Sequence, residues 1–421
     1  MKVERRLLRV EGEGEVVIEV ENSLVKRVRF KVVEAPRFFN YIVRNLHYSQ
    51  IPDLVSRICG FCGVSYVLVA TKAFERCLGL NVPEDVEALR TALHLAERVK
   101  SHVLHVLFMS LPDITRAKNI GVLASRNPKI VNYGLKVLQW ARDAMTVLGG
   151  RFHNAVTIRP GGVYFTPVED EVRKLSEVLA REILPLASEF TKFVLSLKSI
   201  PDEVHKYSLV TVNDAKNDYP HLGTGVCMNG DVYDAVKFYE ELVKEEVVPD
   251  STSLQYSIKG KGFLVGPLAR YNTSFSKLVG EAQDLAKIYS WTPPLKNIHQ
   301  GVIARVLELL DALLRLKEFL SNYRKPLNQY VEPVAYVDDV CAFVVEAPRG
   351  VLYHYYELDD NLKVKKARIV TPTAQNIATA QELAKALINR PYSEAVVEEA
   401  NRLITAFDPC LSCAVHVEVL R

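Results

Sequence analysis

The chain has 421 residues, 48% of them hydrophobic, and a formal net charge of +3. Such a length can bury a sizeable core, and so small a charge argues against nucleic acid or an anionic membrane surface as partner. No apolar run approaches a membrane span, and Met1-Lys2-Val3-Glu4-Arg5-Arg6 leads into a charged strand, unlike the apolar stretch of a signal peptide.

The expected architecture is mostly α with peripheral β (α+β): one domain over 1–421, built on a central bundle of long helices with small N-terminal and C-terminal sheets. An N-terminal β-hairpin covers about 7–33. Within it Val16, Ile18 and Val20 alternate with glutamates, and Val28, Phe30 and Val32 with cations, so one face is buried. Before that, Glu11-Gly12-Glu13-Gly14 suggests an irregular turn. A helical core is expected over about 36–198 and 300–421. Its pieces are Pro36–Ser56, an apolar helix from Cys62 to Leu78, Glu84–Ser110, Ile130–Leu148, Pro167–Leu197 and Val302–Leu320. Thr166 is the expected N-cap of the fifth, with Pro167 at its first position. On the long helix from Glu84, His94, Ser101 and His105 share a face at spacings of seven and four, although single histidines so placed are usually packed core residues. Residues 200–300 are rich in Tyr, Asp, Gly and Pro and read as a loop-rich excursion. Short strands over Tyr336–Val364 lead to a helix opened by Thr371-Pro372. A last helix starts at Ser393 and must end before Asp408, because Pro409 disfavours helix at the preceding residue.

Chemistry concentrates in two cysteine pairs, Cys59-Gly60-Phe61-Cys62 near the start and Cys410-Leu411-Ser412-Cys413 near the end. Together they hold four of only seven cysteines, which suggests one four-thiolate metal site assembled by folding. An odd cysteine count in this form fits a reducing compartment, so the expected location is the cytoplasm. Cys77, Cys227 and Cys341 stand alone and read as small core residues. Four thiolates most often mean structural zinc, and an iron–sulfur cluster is a second option. Arg57, Arg349 and His416 beside thiolates suit a site that handles protons, small anions or diatomics, which favours a redox metal.

The motifs around these cysteines resemble those of nickel–iron hydrogenase large subunits. Arg57-Ile58-Cys59-Gly60-Phe61-Cys62 and Asp408-Pro409-Cys410-Leu411-Ser412-Cys413-Ala414-Val415-His416 match the two signatures. Arg9-Val10-Glu11-Gly12, Pro36-Arg37-Phe38-Phe39, Ser101-His102 with His105, and Gly266-Pro267-Leu268-Ala269-Arg270 also recur in the family. So do Ala347-Pro348-Arg349-Gly350 and Thr371-Pro372-Thr373-Ala374-Gln375-Asn376. The spelling is most similar to the cytoplasmic bidirectional branch, which includes the archaeal sulfhydrogenases.

The resemblance implies reversible heterolytic H2 oxidation and proton reduction. Cys59 and Cys410 would bind nickel terminally, while Cys62 and Cys413 bridge it to an iron carrying CO and CN. Glu11 would be the first proton relay. Ala347, Pro348, Arg349 and Thr373 would surround the diatomic ligands, with Arg349 as electrostatic partner and base and Asp408 holding it. His416 would bind a second ion, magnesium, near position 40, where Asn40 replaces the family's Glu. Tyr66 replaces a family histidine beside Cys62. An iron–sulfur small subunit would carry electrons away, flavin and NAD(P) subunits could follow it, and nickel-insertion proteins and a protease trimming after His416 would mature the chain. Alternatives are a non-catalytic zinc protein and a hydrogen sensor. The related quinone-site subunit of respiratory complex I lacks the four cysteines.

Overall fold

The computed structural model describes residues 1–214, 216–333 and 338–415. The N-terminal sheet has three antiparallel strands, β1 (Lys2–Arg6), β2 (Gly14–Glu21) and β3 (Leu24–Val32), in that order. The hairpin pairs Val16 with Phe30 and Ile18 with Val28, so the alternating apolar residues share its buried face. Asn22 and Ser23 turn it with φ of 49° and 61°, the positive pair that matches strand twist in a two-residue loop. The added strand β1 was not legible, because only Val3 of its five residues is buried.

Residues 36–56 do not make one helix. They form short helices Phe39–Ile42 and Ile51–Ser56, separated by a turn in which Asn45 has φ 62°. The long helices are α1 (Gly63–Cys77), α2 (Glu84–Leu104), α3 (Pro128–Gly149), α4 (Leu184–Leu195) and α5 (Gly301–Asn322). The segment before α4 starts at Glu169 with Val168 as N-cap, two residues later than Thr166 and Pro167 predict, and both it and α2 continue through a π-helical turn. α2 packs against α3 and α5. It buries Leu89, Leu93 and Ala96, but also Arg90, His94, Glu97, Arg98, Ser101, His102 and His105. A buried polar face of that size must be paired, and this one supports the centre described below.

A four-stranded antiparallel sheet runs in the order β7 (Val364–Val370), β6 (Gly350–Leu358), β5 (Val340–Ala347), β4 (Leu222–Gly223). α1 packs on β5 and β6. That packing brings Cys77 and Cys341 to a Cα separation of 5.0 Å, where they form a disulfide instead of standing alone. α6 (Pro372–Ala384) and α7 (Glu394–Ala406) lead to the C-terminal cysteines. Residues 200–300 are more ordered than their composition suggests. They hold strands Val210–Asn213, Gly225–Met228 and Asp231–Asp234, a second pair Val243–Val247 and Leu254–Ile258, and helices Pro267–Ser274 and Gly280–Ile288. Strands of four or five residues are too short to show a period. Among the described residues no helix is long and apolar enough to cross a membrane.

Candidate metal centre

The first half of the centre is a turn placed at a helix start. Cys62 is the N-cap of α1, and its N–H donates to the Cys59 Sγ at 3.1 Å, so the thiols sit at the positive end of the helix dipole. Glu97, from α2, occupies the same helix end. Its carboxylate accepts from the Val64 and Ser65 N–H groups at 2.7 and 3.0 Å.

The second half follows α7. Asp408 adopts φ 57°, a left-handed conformation that aspartate tolerates, and the chain turns through Pro409 into Cys410 and a short helical turn, Leu411–Cys413. The Sγ atoms of Cys59 and Cys410 lie 3.6 Å apart, and with Cys413 all three sulfurs fall within 4.8 Å of one another. All four cysteines of the two pairs are buried. The Cys410 and Cys413 sulfurs are bonded to each other, so this pair must be reduced to serve as thiolate ligands.

Two N-terminal segments close the halves together. Glu11 forms a parallel bridge with Cys410: its N–H donates to the Pro409 carbonyl at 3.3 Å, and its carbonyl accepts from the Leu411 N–H at 2.8 Å. Gly12, at φ 82°, lies so close to the second half that a Cβ would sit 2.7 Å from the Ser412 nitrogen. The Ser412 hydroxyl donates to Glu11 Oε1 at 2.5 Å, while Oε2 is shielded from solvent and has no hydrogen-bond partner. Arg37 reaches both cysteine motifs with one nitrogen. Its Nη2 donates to the Ile58 carbonyl at 2.5 Å and to the Ser412 carbonyl at 2.6 Å, and Nη1 reaches the Arg57 carbonyl at 3.3 Å. Arg37 stands in a motif of the sequence, but nothing local to it signals this bridging role.

Arg349 lies within electrostatic reach of the Cys59 and Cys62 sulfurs. Its Nε donates to the Asp408 carbonyl at 2.8 Å, Nη2 to Asp408 Oδ1 at 3.0 Å and Nη1 to Ser101 Oγ at 3.4 Å. The residues before it are fixed by Arg270, whose guanidinium donates to the carbonyls of Ala347 (3.1 Å) and Pro348 (3.0 Å) while paired with Glu308 and Glu346 at 2.7 Å each. Every member of that ionic cluster is buried, and His102 adds a 2.6 Å contact to Glu308. Arg270 and His102 lie in motifs named above, whereas Glu308 and Glu346 have no local sequence signature. Thr373, at the start of α6, accepts from the Cys410 N–H at 3.0 Å.

The charges are coupled. Burial opposes ionisation of Cys59, but the hydrogen bond with Cys62 and the Arg349 guanidinium outweigh it and hold the thiol below its ordinary pKa. Cys62 moves the other way: its hydrogen bond to Cys59, with burial, pushes it well up. Burial works against charge on Arg349 too, yet Asp408 and the cysteines raise its pKa. Asp408 is held below its ordinary value despite burial, chiefly by Arg349. A thiol whose ionisation is favoured beside a cation suits a soft metal ion.

One expectation needs adjustment. Arg57 does not face the sulfurs: its side chain is 53% exposed and pairs with Asp53. Asn40 uses its Oδ1 to accept from the Ile369 N–H at 3.1 Å, and His416 lies outside the described residues. Tyr66 is buried beside the centre, its hydroxyl has no hydrogen-bond partner, and burial raises its pKa well above the ordinary value.

Three buried sulfurs, those of Cys59, Cys410 and Cys413, meet within electrostatic reach of Arg349 and Glu11, a set that suits a soft metal ion. Comparison with known proteins gives the family. The profile described as nickel-dependent hydrogenase matches residues 37–120 and 256–416. The chain is 31% identical over 416 residues to the sulfhydrogenase 2 subunit alpha of Pyrococcus furiosus, covering 97% of each. It is 26% identical over 457 residues to the NAD-reducing hydrogenase HoxS subunit beta of Cupriavidus necator, covering 97% of this chain and 93% of that one. Its fold matches an NAD+-reducing nickel–iron hydrogenase in the H2-reduced state with a TM-score of 0.89 at 24% identity, over 99% of both chains. The chain belongs to the nickel-dependent hydrogenase family and is a nickel–iron hydrogenase, an oxidoreductase.

Proposed function

We propose that this chain is the catalytic large subunit, interconverting H2 with protons and electrons at the four-cysteine centre. The observation that carries the proposal is the meeting of Cys59, Cys410 and Cys413 near buried Arg349, next to the unpartnered Glu11 Oε2. The donor set fits a nickel–iron pair: soft thiolates suit both metals, and the surrounding cation offsets their summed negative charge. Cys59 and Cys410 would hold nickel, and Cys62 and Cys413 would also hold the iron with its CO and CN ligands. When bound, that pair supplies the electrophile for heterolytic H2 cleavage and the sink for its electrons.

The chain's own groups handle the rest. Arg349, kept charged by Asp408, stabilises negative charge at the centre and orients diatomics near Ala347, Pro348 and Thr373. Glu11 Oε2 takes up the proton and passes it along the Ser412 side. Burial of all four sulfurs keeps bulk water away. Magnesium at Asn40 and His416 is no part of the reading, since the Asn40 carboxamide oxygen is engaged by the backbone. Electrons need a partner: among the described residues the centre is the one metal-competent cluster, and Cys227 is the only free cysteine outside it. An iron–sulfur small subunit meets that need, in a cytoplasmic assembly with flavin or NAD(P) chemistry beyond it.

The test is metal analysis with an infrared spectrum of anaerobically purified protein. Nickel and iron in equal amounts, with metal-bound CO and CN bands that shift under H2, are the expected result. Zinc in place of both metals, with a blank spectrum, overturns the reading.

A further inference from the structure

We infer that a second proton route runs from a surface cavity through His221, His94 and Ser65 to Glu97, at the end of α1 that begins beside Cys62. The inference rests on the proposed hydrogenase chemistry and concerns residues outside the Glu11 side. Four side chains from α1, α2 and the segment before β4 lie in unbroken contact. Glu97 Oε2 is 2.5 Å from Ser65 Oγ, Ser65 Oγ is 2.9 Å from His94 Nε2, and His94 Nδ1 is 3.3 Å from both ring nitrogens of His221. The first three residues are fully buried, and His221 is half-buried. His221 lines a cavity of about 600 Å³ that also takes in Arg98, Asp214, Tyr219 and Arg315. Its position is set by the Asp214 carboxylate, which accepts from its backbone N–H at 3.2 Å.

Capping of α1 explains Glu97 and Ser65, but not two histidines placed ring to ring at 4.5 Å behind them. Cations lie near both rings. Arg98 and Arg270 face His94, and Arg98, Arg315, Arg270 and Lys216 face His221, so burial and these charges keep both rings neutral. A neutral imidazole with one donor and one acceptor passes a proton without storing it. The direction is then defined. A carboxylate can only accept, so the Ser65 hydroxyl donates to Glu97, His94 Nε2–H donates to Ser65, and His221 N–H donates to His94 Nδ1. A proton entering at His221 shifts each of these protons one step inward and leaves Glu97 protonated. Starting from protonated Glu97, the same bonds reverse and His221 releases the proton to the cavity. No electron moves along the path.

The test is exchange of H2 with D2O by the metal-loaded assembly carrying Glu11→Gln, in weak buffer, with and without His221→Ala. The added substitution should lower the residual exchange by about tenfold or more, as expected for loss of a positioned proton donor. Imidazole should restore it, whereas furan, which fills a similar space but has no N–H to pass on, should not. Equal residual rates, no residual exchange in Glu11→Gln alone, or equal rescue by furan overturns the route. Loss of exchange in the metal-loaded parent would instead overturn the hydrogenase reading, and the route with it. Independently of turnover, NMR of selectively 15N-labelled histidine, assigned with His94→Gln, should show His94 as the neutral Nε2–H tautomer near pH 7. The Nδ1–H tautomer or a charged ring overturns the inference.

Discussion

Replacing Arg37 with methionine tests whether the centre is held shut by contacts that belong to neither cysteine motif. The substitution keeps most of the apolar stem but removes the donors to Ile58, Ser412 and Arg57. Hydrogen bonds from a charged donor are worth about 1.5–3 kcal/mol each. The two short ones share one nitrogen and the guanidinium is partly open to solvent, so the lower figure applies to each and the third bond adds little. The loss is then about 3 kcal/mol, or roughly a hundredfold in the balance between closed and opened halves. The assay is release of nickel to an excess of chelator under anaerobic conditions, followed by absorbance. Release from Arg37→Met should be about a hundredfold faster than from the parent, with Arg37→Lys between them because an ammonium cannot span both carbonyls in the same geometry. A rate within about threefold of the parent would show that the Glu11–Cys410 bridge alone holds the halves together, and would refute the reasoning.

Glu11→Gln, which keeps the shape but not the exchangeable proton, should slow H2–D2O exchange by about a hundredfold while nickel and iron remain bound; metal loss in the same preparation would mean that the residue is structural. Tyr66→Phe removes a buried hydroxyl without a partner, so stability should stay level or rise by about 1 kcal/mol by denaturant midpoint, and a clear loss would reveal a missed partner. His105→Gln tests a buried charge balance. Burial lowers the His105 pKa to about 3, so the unfolded chain binds a proton near pH 6.5 that the folded chain refuses. The stability this histidine contributes is therefore intact above that pH and lost as pH falls toward 3. Between pH 7 and pH 5 the parent should lose about 2 kcal/mol more than the variant, measured by paired urea titrations.

What the sequence showed and what it hid divide along a physical line. The cysteine pairs, the hairpin periodicity and the helix stop before Pro409 are local signals, and each has its counterpart in the structure. Arg349 donates two hydrogen bonds to Asp408 and a third to Ser101. The supports were hidden. Nothing near Arg270 announces Glu308 and Glu346, nothing near Cys77 announces Cys341, and His94 looked like an ordinary core histidine because His221 is 127 residues away. Such pairs exist only after the helices have packed, so no spacing rule can reach them. The short strands of 200–300 were missed for the opposite reason, being local but too brief to leave a pattern.

The parallel bridge between Glu11 and Cys410 has a consequence for how the protein is made. Cys59 and Cys410 are 351 residues apart, so at about 5–20 residues per second the first thiols wait roughly 20 to 70 s for the second pair to be synthesised. During that interval the N-terminal half offers two thiols, a carboxylate and Arg37 with no counterpart, and any metal captured then would meet an incomplete ligand set. Folding order thus imposes an order on metal loading: the C-terminal turn is the closing element, and a chain truncated before Pro409 should be unable to retain nickel however well its helices assemble.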